Sequence, residues 1–163
     1  MLEDTGISFE DLEEERKPVI GYASGTFDLF HTGHLNLLRR AKEACDYLIV
    51  GVHESGAWKG KATYMSFEDR KALLRGCRYV DEVVDAGAED SEDWERLHFD
   101  RLFAGSDYRG SARFKAYEEF FRDKDVEIIF FPYTEGISST MIRDAILEGR
   151  PAYQDGPEKP CGQ

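Results

Sequence analysis

Two histidines, His31 and His34, stand between an apolar run and a segment with helical spacing. This position predicts the N-terminus of a helix, where unpaired backbone N–H groups and a partial positive charge attract phosphate. Side chains three residues apart fall on one side of the first turn, so both imidazoles can face one anion. Gly33 has no Cβ and is expected to let that anion approach the backbone. The spacing predicts a site that holds a phosphate of a nucleotide and stabilises its charge during transfer.

The elements that must position this motif alternate between strands and helices. A strand-like run at Val19–Ala23 precedes the histidines, and Leu35 to Ala44 has helical spacing. The apolar run Tyr47–Val52 is typical of a strand buried on both faces. Further strands are predicted at 81–84, 102–104 and 126–131, and further helices at 66–74, 94–99, 114–121 and 138–147. The alternation predicts an α/β fold, a single-domain, Rossmann-like, doubly wound parallel sheet with ligands at the carboxyl ends of its strands.

Composition bounds the classes of protein that the chain can belong to. Its 163 residues suit one domain at 17–149, between an acidic extension at 1–16 and a proline-rich tail at 150–163. The net charge of −12 disfavours nucleic acid and anionic membrane surfaces as partners. No run reaches the roughly 18–20 apolar residues that span a bilayer. Three cysteines without metal-ligand spacing suggest a reduced, cytoplasmic protein.

Seven segments, within residues 19–147, resemble the cytidylyltransferases of the glycerol-3-phosphate cytidylyltransferase type, in the wider H-x-G-H nucleotidyltransferase superfamily. They are Gly25-Thr26-Phe27-Asp28, His31-Thr32-Gly33-His34, Lys59-Gly60-Lys61, Ser66-Phe67-Glu68-Asp69-Arg70, Arg78-Tyr79-Val80-Asp81-Glu82-Val83, Gly105-Ser106-Asp107 and Thr134-Glu135-Gly136-Ile137-Ser138-Ser139-Thr140. The resemblance implies that CTP and a small anionic phosphorylated alcohol, glycerol 3-phosphate or similar, become a CDP-alcohol and pyrophosphate. It also implies Mg²⁺ held mainly through the nucleotide phosphates, with no metal ligands on the protein, and a homodimer.

The same resemblance implies roles for individual residues. Catalysis is expected from His31, His34 and Lys59. Nucleotide binding is expected from Gly25, Thr26, Phe27, Asp28, Asp107, Thr134, Gly136, Ile137, Ser138 and Thr140. Binding of the acceptor substrate is expected from Lys59, Lys61, Arg70, Arg78 and Trp94. Read from the residues alone, Arg70 and Arg78 could equally pair with neighbouring carboxylates, and Trp94 could be a core residue.

One position departs from the family pattern. Relatives carry arginine directly before Thr-Glu-Gly-Ile-Ser, whereas this chain has Tyr133, which offers one neutral hydroxyl in place of a charged bidentate donor. Another cation could compensate, with Arg109, Arg113 and Arg143 nearest in sequence. Two other functions stay open. One is an adenylyltransferase of the same superfamily, because a sequence does not display the backbone contacts that select the base; the other is a non-catalytic nucleotide-binding module, which only the loss of this arginine favours.

Overall fold

The computed structural model of the chain describes residues 16–55 and 62–151 as a sheet flanked by helices. Its strands are β1 (Ile20–Gly25), β2 (Tyr47–Val52), β3 (Glu82–Asp85), β4 (Arg101–Gly105) and β5 (Glu127–Phe131). Its α-helices are α1 (Thr32–Glu43), α2 (Phe67–Arg75), α3 (Asp90–Leu97), α4 (Ala112–Phe121) and α5 (Ser139–Leu147). Most of the predicted extension and tail, together with Lys59 and Lys61, lie outside the described residues.

All five strands run parallel in the order β3-β2-β1-β4-β5. The strand order reverses between β1 and β4, which is the topological switch point of a doubly wound sheet, and the predicted α/β Rossmann-like fold is confirmed. β1 pairs with β2 along its whole length, but its pairing with β4 ends at Tyr22 and Leu102. The carboxyl ends of β1 and β4 therefore separate and open a crevice between them.

Alternation along the strands sends successive side chains to the two faces of the sheet. Ala23 packs on the face covered by α1 and α2, in a cluster with Leu38 and Leu74. Tyr22 packs on the opposite face, covered by α3 and α4, in a cluster with Phe99. Both faces are buried, which explains why β2 reads as a continuous apolar run.

The bounds of most predicted strands and helices are confirmed to within two residues, but the predicted extent of one helix is wrong. Its predicted span was 94–99, but α3 begins at Asp90 and ends at Leu97 because three acidic residues in its first turn favour the positive end of the helix dipole. His98 then ends the helix in a left-handed conformation with φ 49°. Among the described residues, no helix is long and apolar enough to cross a membrane.

Gly51 in β2 lies where the ring of Tyr22 crosses the strand. A Cβ added there would overlap the Tyr22 hydroxyl, which donates to buried Asp93 at 2.6 Å and so has little freedom to move. We expect Gly51→Ala to lower the free energy of unfolding by about 1–3 kcal/mol, as overpacked cores do. Denaturant unfolding measures this change.

Gly76→Ala is the matched control, because Gly76 follows α2 with ordinary helical φ and ψ and has room for a methyl group. We expect it to be neutral or stabilising by about 0.4–1 kcal/mol. Equal losses in the two variants would contradict the packing role of Gly51.

Candidate functional site

The crevice at the switch point is a cavity of about 300 Å³. Its walls come from the loop between β1 and α1, the end of β4 and the segment that leads into α5. The predicted site residues that line it are Gly25, Thr26, Phe27, Asp28, His31, His34, Asp107, Thr134, Ile137, Ser138 and Thr140. A ligand in this cavity therefore meets the first turns of α1 and α5, where backbone N–H groups are directed outward.

The two histidines cap α1 through a reciprocal pair of hydrogen bonds. His31 is the residue before the first turn, and its Nδ1 accepts from the backbone N–H of Gly33 at 3.0 Å. The Nδ1 of His34 accepts from the backbone N–H of His31 at 3.3 Å. An imidazole whose Nδ1 accepts a hydrogen bond carries its proton on Nε2 when neutral. Both rings are therefore fixed as Nε2–H donors.

The rings of His31 and His34 stack with their centroids 3.9 Å apart. Burial lowers the pKa of His31 below its ordinary value, which favours the neutral ring at physiological pH. A Cβ at Gly33 would overlap the His31 ring. Gly33 is therefore required by the His31 ring, while its predicted role in letting an anion approach the backbone stays a prediction.

Three buried side-chain polar atoms lack a hydrogen-bond partner within the described ranges: Thr26 Oγ1, His31 Nε2 and Arg143 Nε. All three residues line the same cavity. An unsatisfied buried polar group costs about 1–3 kcal/mol, so three in one crevice indicate a place where a bound ligand or solvent supplies the partners. Each of these atoms is a hydrogen-bond donor, which suits an anion rich in oxygen acceptors.

Asp28 organises the loop between β1 and α1. Its buried carboxylate accepts from the backbone N–H groups of Tyr64 and Met65 at 2.9 and 3.0 Å and from Arg143 Nη2 at 2.9 Å. Burial by itself raises the pKa of Asp28, but these hydrogen bonds outweigh it and leave the pKa below its ordinary value. The Asp28 carbonyl also accepts from Ser139 Oγ at 2.8 Å. Asp28 thus joins the loop to α5 and to the segment before α2.

Arg70 stabilises the same loop from the α2 side. Its side chain is 1% exposed and donates to four backbone carbonyls, including those of Thr26 and His53 at 2.7 Å each. These bonds hold a loop in which Phe27 and Leu29 both have φ near +52°. Side chains rarely adopt that conformation, and it persists only where surrounding contacts impose it.

Four predicted site residues do not line the cavity. Arg70 is committed to backbone carbonyls. Arg78 is exposed and lies against the Tyr79 ring. Trp94 packs between α3 and α4, where its Nε1 donates to the Phe99 carbonyl at 3.1 Å. Gly136, with φ +83°, forms the turn before α5. The contacts of Trp94 agree with its interpretation as a core residue. Arg70 is also structural, but its partners are backbone carbonyls and not the neighbouring carboxylates that the alternative interpretation named.

The N-terminus of α5 carries the segment that follows the departure at Tyr133. Ser138 caps the helix by accepting from the Met141 N–H at 3.0 Å. Tyr133 lines the cavity and is 56% exposed. Of the three arginines considered as replacements for the missing cation, Arg113 and Arg143 line the cavity, whereas Arg109 lies over the Phe130 ring.

A polar network at the opposite side of the cavity escaped the sequence analysis. Asp90, 3% exposed, accepts from Ser24 Oγ at 2.5 Å, and its backbone N–H donates to Tyr117 Oη at 3.0 Å. Arg113 Nε lies 2.6 Å from the same hydroxyl and 3.1 Å from Glu89. In sequence, Asp90 belongs to an acidic run that resembles a solvated surface, so composition gave no sign of its burial.

Comparison with known proteins extends these observations. The family model described as cytidylyltransferase-like matches residues 22–145. Glycerol-3-phosphate cytidylyltransferase from Bacillus subtilis (strain 168) is 39% identical over 139 residues, covering 80% of this chain and 97% of the relative. Ethanolamine-phosphate cytidylyltransferase from Dictyostelium discoideum is 35% identical over 136 residues, covering 81% of this chain and 38% of the relative. A lipopolysaccharide core biosynthesis protein from Thermoplasma volcanium GSS1 shares the fold, with a TM-score of 0.61 and 19% identity over 72% of this chain and 98% of its own.

Because His31 both caps α1 and presents a buried donor, two substitutions separate these roles. Asparagine is a good capping residue, so we expect His31→Asn to keep the free energy of unfolding within about 0.5 kcal/mol of the parent, whereas His31→Ala loses about 1 kcal/mol. Thermal or denaturant unfolding of the two variants measures this difference. Equal destabilisation by both substitutions would show that ring stacking, rather than capping, is the structural role of His31.

Proposed function

The chain belongs to the cytidylyltransferase-like family, and from that premise we propose that it transfers CMP from CTP to a small phosphorylated alcohol and releases pyrophosphate. Glycerol 3-phosphate is the acceptor that the resemblance favours. The observation that carries the proposal is the set of donors, with His31 Nε2 foremost, that find no partner in the part of the chain that the structure describes and lie in a cavity between two helix N-termini. Donors at that place suit a polyphosphate.

The proposed reaction is a displacement at the α-phosphorus of CTP. An oxygen of the acceptor phosphate forms a bond to that phosphorus while the bond to the β-phosphate oxygen breaks and pyrophosphate leaves. A phosphate monoester has a second pKa near 6, so the attacking oxygen is already ionised and needs no strong general base. Asp28 is fully engaged in hydrogen bonds and does not supply one.

The histidines stabilise charge rather than move protons in this proposal. With Nδ1 bonded to the backbone, His31 and His34 direct Nε2–H donors at the phosphoryl oxygens, where negative charge increases in the transition state. Their caps fix the rings before the substrate arrives, so little reorganisation accompanies the reaction. The predicted roles of Lys59 and Lys61, which lie outside the described residues, stay predictions.

Mg²⁺ is proposed to enter with the nucleotide. Within residues 16–55 and 62–151, no group of three or more His, Cys, Asp or Glu side chains could hold a metal ion. Magnesium commonly keeps several waters and binds through substrate phosphates, which fits a cavity lined mainly by donors. The bound ion would neutralise part of the triphosphate charge. The homodimer is proposed from the resemblance, and sedimentation velocity measures it. The cytoplasmic location is proposed from the cysteine usage.

The first test of the proposed function is pyrophosphate release with Mg²⁺, with CTP and ATP each combined with a set of phosphorylated alcohols. We expect pyrophosphate release with CTP. Release with ATP alone would contradict this expectation and favour the adenylyltransferase. His31→Asn and His34→Gln should each lower kcat by about 10²-fold or more, because both keep an acceptor for the cap but remove the ring donor. Near-normal turnover in a folded variant would contradict the assigned donor role.

A second test concerns the cation beside the phosphates. Arg143 holds Asp28 through Nη2 and leaves Nε without a partner in the cavity wall, so we propose that it compensates for the arginine absent at position 133. Arg143→Gln should raise KM for CTP about 10- to 100-fold, the loss of one charged hydrogen bond. Adding Tyr133→Arg should restore part of the affinity.

The control for this test addresses the second role of Arg143, which is to neutralise the Asp28 carboxylate. If Arg143 only neutralises Asp28, the double variant Asp28→Asn, Arg143→Gln should recover the KM for CTP, whereas a phosphate contact leaves it impaired. Arg122→Gln removes an exposed arginine that pairs with Glu119 far from the cavity lining and should leave KM unchanged.

A further inference from the structure

One end of the cavity, formed by Ser24, Asp90 and Arg113, has no role in the reaction as described so far. Ser24 follows Tyr22 by two residues in β1, so its side chain lies on the α3 and α4 face of the sheet. The histidines belong to α1, which covers the other face. This set, named the Asp90 end, therefore lies across the strand ends from the phosphate-binding donors.

Contacts within the protein fix the Asp90 end before any ligand binds. Ser24 Oγ donates to Asp90 Oδ1 at 2.5 Å, and Tyr117 Oη donates to Glu89 at 2.5 Å. Arg113 Nη2 donates to the Ala88 carbonyl at 2.7 Å, while its Nε lies beside Tyr117 and Glu89. The Arg113 guanidinium and the Asp90 carboxyl are therefore already held in place, so binding a ligand costs them little further conformational entropy.

This end carries charges of both signs, and because a pKa of about 6 leaves Asp90 largely ionised at neutral pH, they do not cancel. Glu89 pairs with Arg113, so that guanidinium adds little net positive charge. Burial is the main cause that raises the pKa of Asp90 to about 6, although Ser24 and Arg113 act in the opposite direction. A ligand ammonium would meet Arg113, and a second ligand anion would meet Glu89 and Asp90. Neutral hydroxyl groups fit both, since they donate to the carboxyl and accept from the guanidinium.

The direction of the reaction indicates which substrate reaches this end. In an in-line displacement the attacking oxygen enters opposite the leaving group. If pyrophosphate departs along the N-termini of α1 and α5, the acceptor approaches from the α3 and α4 side of the strand ends. Its phosphate then faces the histidines, and its alcohol portion extends toward Asp90.

From this juxtaposition we infer that Ser24, Asp90 and Arg113 bind hydroxyl groups of the acceptor and make the enzyme selective for phosphorylated polyols over phosphorylated amino alcohols. This inference rests on the proposed function and specifies its substrate class. The two residues that provide the selectivity are Asp90, as acceptor, and Arg113, as donor. Ser24 orients the Asp90 carboxyl.

The test compares three phosphate monoesters with different alcohol portions: glycerol 3-phosphate, which carries hydroxyl groups, propyl phosphate, which carries none, and phosphoethanolamine, which carries an ammonium group. Asp90→Asn and Arg113→Lys should lower kcat/KM for glycerol 3-phosphate about 10-fold or more, with little change for propyl phosphate, because a site built for hydroxyls loses only their contribution. Asp93→Asn is the matched control: this carboxylate is also buried in α3, but it bonds Tyr22 and Gly87 and does not line the cavity. It should leave the ratio between acceptors unchanged.

Two outcomes would overturn the inference. Equal losses for all three acceptors in Asp90→Asn would assign the residue a structural role. A rise in KM for CTP that is absent with 2′,3′-dideoxy-CTP would place ribose hydroxyls, rather than the acceptor, at the Asp90 end.

A binding measurement separates failure of this inference from failure of the proposed function. Calorimetric titration of glycerol 3-phosphate into the unliganded protein needs no turnover and no nucleotide. Weaker binding to Asp90→Asn than to Asp93→Asn supports the Asp90 end even if pyrophosphate release is never observed, and equal binding to the two overturns it.

Discussion

The buried carboxylate of Asp28 is the interaction on which the cavity depends. A charge taken out of water costs several kcal/mol unless its oxygens are bonded, and here they are bonded by the backbone before α2 and by Arg143 in α5. Meeting that requirement draws two separate stretches of chain onto the loop between β1 and α1. Arg70 completes the arrangement by binding the carbonyls that the loop directs inward. The strained backbone at Phe27 and Leu29 exists because these two buried ions impose it.

The cavity that results has two sides of different chemistry. Beside α1 and α5, it presents donors that have no partner among the described residues and two imidazoles whose Nδ1 atoms accept from the backbone. Beside α3 and α4, it presents a carboxyl that accepts from a serine hydroxyl and a guanidinium that bonds a tyrosine hydroxyl and a second carboxylate. The first side suits groups that are fully ionised, and the second suits groups that are uncharged but polar. A phosphorylated alcohol has one portion of each kind.

Periodicity and capping residues predicted nearly all of the fold, because β2 is buried on both faces and Ser66, Ser138 and the histidine motif each begin a helix with a side-chain acceptor. Arg70 was expected to bind the acceptor, but its side chain is bonded to backbone carbonyls. Phe67, Arg70 and Leu74 recur at helical spacing, which indicates that Arg70 lies on the buried face of α2. Asp90 could not be foreseen, since its burial depends on Tyr117 and Arg113 from α4, and no local pattern reports contacts across 27 residues.

The order of strands in the sheet determines when the crevice can form during synthesis on the ribosome. β1 leaves the ribosome early and can pair with β2 once that strand emerges, but its other neighbour, β4, begins some 80 residues later. The crevice cannot exist before β4 arrives, and it lacks Arg143 until α5 follows. His31 and His34 are therefore synthesised long before the crevice in which they bind a ligand can form. The nascent chain gains the ability to bind substrate only near the end of translation.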